Sequence, residues 1–441
     1  MIMKRLLLLL FICCTAFACE QNDAVQPQNT TKQATTSKYR TLDDAIDIAE
    51  KSVSMLGEQT RATKRSIDRS RIRAVLNKRA TTRSAAADTL IYIINFDDSA
   101  GFALVPRSTS KPELLAITEK GNYDGEETNN EGFNIYMDRA FEWIVDSTQD
   151  LIPVDTTSNP GVGGGGIGDQ VITEWKSEED RNVSGVDPMC TFEWNQDTPY
   201  NYFCIDEQGR SSKAGCGAIA IGTIMAHYEY PNNTNLVLTY HIDNIPSIPL
   251  STTLWADFKR HPFLIVYNYY LGALVREIGH RLDMEYNENE ATCDRTKLVG
   301  CLNSFGYISD PLHSYSRNDV LSSLQNGYLV IMSGNRLSTN TGHSWIVDGS
   351  KHIEVTTKEW QREQGQTQWT LVSTVYTNTS YLHFNWGHGG NHSGFYFTNQ
   401  SSYGGVGGTY YNEANIFAPT SDETAYNNNV LIITNIRPNT N

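Results

Sequence analysis

Ala214-Gly215-Cys216-Gly217 runs directly into Ala218-Ile219-Ala220-Ile221-Gly222-Thr223-Ile224-Met225-Ala226-His227-Tyr228, an apolar stretch of helical period. Ser212-Lys213-Ala214-Gly215 reads as the turn before this helix, and Pro231 stops the chain after it. Cys216 therefore opens a helix. The first turn of a helix carries unsatisfied N–H groups and positive potential, which favour a thiolate over a thiol. Alone, a cysteine before an apolar helix is more often a packing residue, so its company decides its reading.

That company lies further along. Gly342-His343-Ser344-Trp345-Ile346-Val347-Asp348-Gly349 places a histidine at the mouth of a buried strand. There it can take the Cys216 proton and later return it to a leaving amine. Asn385-Trp386-Gly387 follows. Asn385 is a candidate to hold the tautomer of the histidine ring, with Trp386 shielding that bond from water. Upstream, Gln196 in Trp194-Asn195-Gln196 is a candidate to donate its side-chain amide to an oxyanion, together with the Cys216 N–H. A cysteine opening a helix, a histidine opening a strand and a later Asn-Trp-Gly are the parts of a papain-like cysteine hydrolase.

Rival readings exist for the histidines. All ten lie at or after His227, so histidine chemistry belongs to the later part of the chain. His388 competes with His343 as the base. His383, His388 and His392 sit close together in sequence, but no cysteine or clear carboxylate joins them at zinc spacing, and the segment is Gly-rich rather than helical. No metal and no other cofactor is expected.

The 441 residues, 39% hydrophobic with a net charge of -15, fit a globular chain of at least two domains and argue against nucleic acid as a partner. The charge is uneven: Arg61, Lys64, Arg65, Arg69, Arg71, Arg73, Lys78, Arg79 and Arg83 crowd one stretch. Such a stretch either docks on the acidic remainder or stays a solvated arm.

At the N-terminus Lys4 and Arg5 precede an apolar core at 6–12, too short to span a bilayer, and then Ala16-Phe17-Ala18-Cys19. This resembles a bacterial lipoprotein signal, residues 1–18, with Cys19 lipidated. An ordinary secretory signal is the alternative. Residues 19–38 form a flexible, Gln/Asn/Thr-rich tether. The expected location is exported and lipid-anchored to the bacterial outer membrane, facing the periplasm or the cell surface, with release after processing a further outcome. Beyond Cys13, Cys14 and Cys19 an odd set remains: Cys190, Cys204, Cys216, Cys293 and Cys301. Pairing Cys190 with Cys204 and Cys293 with Cys301 would leave Cys216 free, but all five can equally be reduced.

Residues 41–56 read as an amphipathic helix with Thr41 as cap. Residues 89–96 and 101–106 read as a hairpin, 113–118 as a strand and 134–150 as a helix, making a small α+β domain over 39–152. The Gly-rich stretch 153–171 is a linker and a place for proteolysis. Residues 172–441 hold helices after Cys216, near 264–282 and near 294–306, then β-rich runs at 328–333, 344–348, 369–376, 381–386 and 428–436. Helices first and strands later predict a two-lobed α+β fold with a cleft between the lobes.

Read together, these motifs resemble the streptopain family of secreted bacterial cysteine proteases. They are Trp194-Asn195-Gln196-Asp197-Thr198-Pro199-Tyr200-Asn201, the Cys216 segment, Met225-Ala226-His227-Tyr228-Glu229-Tyr230-Pro231, Met284-Glu285-Tyr286, the His343 segment, and His383-Phe384-Asn385-Trp386-Gly387-His388-Gly389-Gly390. Tyr92-Ile93-Ile94-Asn95-Phe96 with Gly101-Phe102-Ala103-Leu104-Val105 and Leu115-Ala116-Ile117-Thr118 is similar to that family's inhibitory propeptide.

The resemblance implies a zymogen-derived cysteine endopeptidase of papain-like fold. It implies Cys216 as nucleophile, His343 as base, Gln196 as oxyanion donor, and Asn385 with Trp386 as orienting pair. It implies Gly342 facing substrate backbone. The partners would be protein or peptide substrates, the chain's own propeptide and, through its anchor, the membrane. It also implies a taste for a hydrophobic residue two positions before the cut.

Two departures stand out. His388 replaces a more usual tryptophan. Asn287-Glu288-Asn289-Glu290-Ala291-Thr292 replaces a Gly/Ser-rich stretch lining the cleft, so the cleft would tolerate basic groups. A catalytically silent lipid-anchored binding protein and an acyl-transfer enzyme are the alternatives.

Overall fold

A computed structural model describes residues 38–56, 65–77, 89–145, 173–288, 290–337, 339, 341–404, 410–417 and 430–440. The signal segment, the tether, Cys19 and the linker 153–171 lie outside these residues.

Helix α1, Leu42–Leu56, begins where expected. Thr41 Oγ1 accepts the Asp44 N–H at 3.1 Å, and Asp44 Oδ2 accepts the Thr41 N–H at 2.7 Å. This reciprocal cap satisfies donors that would otherwise be orphaned. Ala45, Ile46, Ala49 and Leu56 bury one face of α1 on the hairpin formed by Thr89–Asn95 and Phe102–Pro106. The expected strand at 113–118 shortens to Ala116–Thr118.

The next helix, α2, is Glu131–Val145 and starts earlier than periodicity suggests. Asn130 Oδ1 caps it by accepting the Phe133 N–H at 3.1 Å, ahead of the poor helix former Gly132.

The N-terminal strands do not stop at their own small sheet. Ala116–Thr118 pairs antiparallel with Gly394–Gly404, in the register Thr118 with Gly394, Ile117 with Phe395 and Ala116 with Tyr396. A twelve-stranded sheet results. It runs from Arg73–Leu76 through the hairpin and Ala116–Thr118 to Gly394–Gly404. It continues through Thr370–Asn385, Gly342–Glu363, Val330–Asn335 and Leu431–Ile433 to His313–Ser314.

The expected short runs at 344–348, 369–376 and 381–386 merge into two long strands that extend past the core as a ribbon. Thr173–Val186 joins the ribbon along Ser350–Glu363. Its sequence is charged and almost wholly exposed, with no apolar alternation, so backbone pairing rather than hydrophobic pattern makes it a strand.

Two cores follow. One merges N-terminal residues (Ile93, Leu104, Phe133, Tyr136) with Val347, Phe384, Trp386 and Tyr396 of the later chain. The other surrounds α3, Cys216–Tyr228, which is buried on all sides against Ile265–Arg281, Trp194 and Trp255. Val330–Asn335 and Gly342–Glu363 divide the two by strand alternation. Val330, Met332, Trp345 and Val347 face the first core, and Ile331 and Ile346 the second. This is the two-lobed α+β arrangement, and the cleft lies where α3 meets the start of Gly342–Glu363. Among the described residues no helix is long and apolar enough to cross a membrane.

Candidate active site

Gly215 leads into α3 with φ +90, a left-handed conformation, and a Cβ on it would fall 2.0 Å from Met284 Cε. The backbone conformation demands glycine, while the methionine tip could shift. The turn delivers Cys216 to the first helical position, partly exposed at the floor of a cleft of about 970 Å³. Burial pushes the Cys216 thiol up, but the charge of His343, a hydrogen bond to it, and backbone N–H groups of Ser344 and Gly217 outweigh that and hold its pKa below the ordinary thiol value.

His343 is buried at the start of its strand. Its Nε2–H donates to the Trp386 carbonyl at 2.9 Å. A carbonyl only accepts, so this bond fixes the tautomer and leaves Nδ1 for the thiol. Burial alone would lower the imidazole pKa. The thiolate charge and hydrogen bond, the Trp386 carbonyl and the Glu131 carboxylate raise it instead. The two shifts move together toward transfer of the thiol proton to the imidazole.

The His343 ring and the Asn385 side chain each have a partner in this structure. Asn385 Oδ1 accepts the Gly387 N–H at 3.2 Å, within its own loop, and the ring of His343 is held by the main chain of Trp386. Trp386 itself is fully buried, and its Nε1–H donates to His392 O at 2.9 Å. Gln196 does line the cleft with Cys216 and His343. Its backbone carbonyl accepts the Ala214 N–H at 2.9 Å, which ties it to the turn before Cys216. Its Nε2 lies 3.4 Å from His388 Nε2. Gly342 lines the same cleft.

His388 sits 5.5 Å from His343, ring centre to ring centre. Burial first, then the charges of His343, Lys213 and His392, push it down to about 3, so it is neutral. A neutral ring can accept the Gln196 amide. The other two histidines of that segment point elsewhere. His383 Nδ1 bonds Asp348 Oδ1 at 2.6 Å, and its Nε2 lies 3.3 Å from Glu119 Oε1. Burial opposes its charge, but Asp348 and then Glu119 lift it to about 10. His392 Nε2 reaches Asn122 O at 3.2 Å. Among the described residues no three His, Cys, Asp or Glu side chains gather to hold a metal ion. All five later cysteines are free thiols, and Cys293 lines the cleft.

Residues of the N-terminal unit also enter the site, which no motif in the sequence signals. Asn129 and Glu131 line the cleft. Gly132 lies against the same wall of the cleft: a Cβ there would fall 2.4 Å from Trp386 Cε3 and 2.7 Å from His343 Cδ2.

A helix-borne cysteine facing a strand-borne histidine across the lobes of this fold fits a papain-like cysteine peptidase. Residues 194–396, a little under half of the chain, match the Peptidase C10 family, and the chain is a cysteine endopeptidase. It is 22% identical over 340 residues to streptopain of Streptococcus pyogenes, covering 69% of this chain and 73% of the relative. Among solved structures it is similar to a Prevotella intermedia prointerpain A fragment, with 16% identity, TM-score 0.49, and coverage of 83% of this chain and 98% of that one. It is also similar to active Prevotella intermedia interpain A cysteine protease, with 20% identity, TM-score 0.34, and coverage of 48% and 85%.

Proposed function

We propose that this chain is made as a zymogen in which residues 39–152 block the cleft. Once they are removed, Cys216 hydrolyses peptide bonds in protein substrates. The observation that carries the reading is the Cys216–His343 pair beside Gln196, with Gly132 of the N-terminal unit packed onto His343.

The Cys216 thiolate attacks the peptide carbonyl. The resulting oxyanion is held by the Gln196 amide and the Cys216 N–H. His343 gives its proton to the leaving amine and a thioester forms. Water, deprotonated by His343, attacks the thioester and releases the acid and the thiolate. Gly342 faces the substrate backbone from the rim. No step requires a cofactor.

The export reading rests on sequence: a lipoprotein signal over 1–18 and lipidation of Cys19 anchor the enzyme to the outer membrane. Radiolabelled palmitate incorporation, lost in Cys19→Ser, tests it.

The main test compares residues 20–441 with Cys216 intact and as Cys216→Ala under reducing conditions, following intact mass. The expected result is loss of roughly the first 150 residues from the intact form alone, followed by casein cleavage with uptake of water. Joined peptides instead of hydrolysed ones would point to acyl transfer. A protein trimmed to start near Val171 that stays inert and does not react with a thiol alkylator would point to a silent binding protein.

A further inference from the structure

Arg336 is the first residue after strand Val330–Asn335, and its N–H donates to Thr341 O at 2.8 Å, closing the turn back to Gly342. Its side chain is 9% exposed. Nε and Nη2 donate to the two carboxylate oxygens of Asp138 at 2.6 and 3.2 Å, and Nη1 donates to Glu127 at 2.7 Å. Glu131 Oε2 lies 3.8 Å from Nη1. All three acids belong to the N-terminal unit. Among the described residues, no carboxylate of the peptidase segment forms an ion pair with Arg336.

Arg336 sits directly behind the cleft, next in sequence to residues that line it. Gly334, Asn335, Thr341 and Gly342 line it together with Cys216 and His343. Glu131 links Arg336 to the cleft, because its carboxylate raises the His343 pKa and lies beside Arg336. Arg336 is permanently charged, and its planar fork suits a carboxylate held by two parallel bonds. Departure of the N-terminal unit removes every ion-pair partner that Arg336 has among the described residues, while leaving the turn that positions it.

We propose that Arg336 is a substrate subsite for an acidic side chain close to the scissile bond, and that Asp138 and Glu127 occupy it in the zymogen as stand-ins for substrate. The subsite rests on the peptidase reading above. The competing view makes Arg336 a clamp for the N-terminal unit and nothing more.

The test uses processed enzyme and a peptide series with Asp, Asn or Ala at each of the three positions on either side of the cut. The expected result is a position where Asp is favoured over Asn, with the preference shrinking at high salt. Arg336→Gln should lower kcat/KM for that Asp peptide by roughly 10- to 100-fold and leave the Asn peptide within about threefold. Arg336→Lys should keep part of the preference.

Equal treatment of Asp and Asn by the wild type overturns the subsite. So does a fall in Arg336→Gln that is the same for both peptides. Should Arg336→Gln fail to fold, the double variant Glu127→Gln/Asp138→Asn serves instead. It leaves the processed enzyme unaltered, so it should convert faster and yield the same Asp preference. If it converts no faster, or its product lacks the preference, the stand-in view falls. A wild type that leaves the Asp, Asn and Ala peptides all uncut overturns the peptidase reading, and the subsite with it.

Discussion

Gly132 of helix α2 packs against His343, close enough that a single added methyl would fall 2.7 Å from the ring carbon Cδ2. Only hydrogen at that position lets the N-terminal unit seat on the imidazole. Gly132→Val should therefore loosen the docking by about 1–3 kcal/mol, as overpacking does elsewhere. The expected outcome is self-conversion about tenfold faster than wild type or more, with a lower unfolding midpoint for the zymogen. Unchanged conversion by intact-mass kinetics would refute the contact as a determinant of latency.

Cys216 is held below the ordinary thiol pKa by His343, so its thiolate persists as pH falls. Alkylation by iodoacetamide should stay fast below the pH where a free thiol slows, and should steepen toward ordinary thiol behaviour in His343→Gln. The pH profile of labelling, with Cys216 located by peptide mapping, checks this. Identical profiles in both proteins would remove His343 from the pair.

His383 bridges Asp348 and, across the boundary between the units, Glu119. Its folded pKa is lifted to about 10 from an ordinary 6.5. A raised pKa means the stabilisation is complete below the unfolded value and fades as pH climbs towards 10. Zymogen stability should thus decline from about pH 6.5 upward, and His383→Gln should flatten that decline while costing roughly 3–5 kcal/mol at neutral pH. Denaturant melts at several pH values read both effects.

The His343 ring donates to the Trp386 carbonyl, and the Asn385 side chain accepts the Gly387 N–H of its own loop. Asn385→Ala should keep kcat/KM within about fivefold and cost about 1 kcal/mol in stability. Gln196→Ala, by contrast, should lower kcat by roughly 10²- to 10³-fold, as loss of an oxyanion donor does. Steady-state kinetics on one neutral peptide separates the two.

Much of this was legible in the chain, and the exceptions share a cause. Thr41 with Asp44, the hairpin before and after Asp97, and the apolar run behind Cys216 are local signals, and each became the element it announced. Thr173–Val186 and Gly394–Gly404 escaped, the first because a charged strand carries no apolar period. At the site, side chains drew attention to Asn385 while the acceptor is a carbonyl that any residue would provide. Arg336 was silent because its three partners lie far away in sequence, in a unit that only the folded sheet brings to it.

The pairing of Ala116–Thr118 with Gly394–Tyr396 has a consequence for timing. A cut in the stretch 153–171 severs one covalent link, yet the two pieces still share a sheet and an apolar core. Scission and departure are then separate events, and a nicked, non-covalent complex stands between them. When the smaller piece finally leaves, it strips a partner from the edge at Gly394 and uncovers one side of Phe395 and Trp386. The newborn enzyme begins its working life with an adhesive flank, and at high concentration that flank will find another copy unless its own chain folds back to cover it.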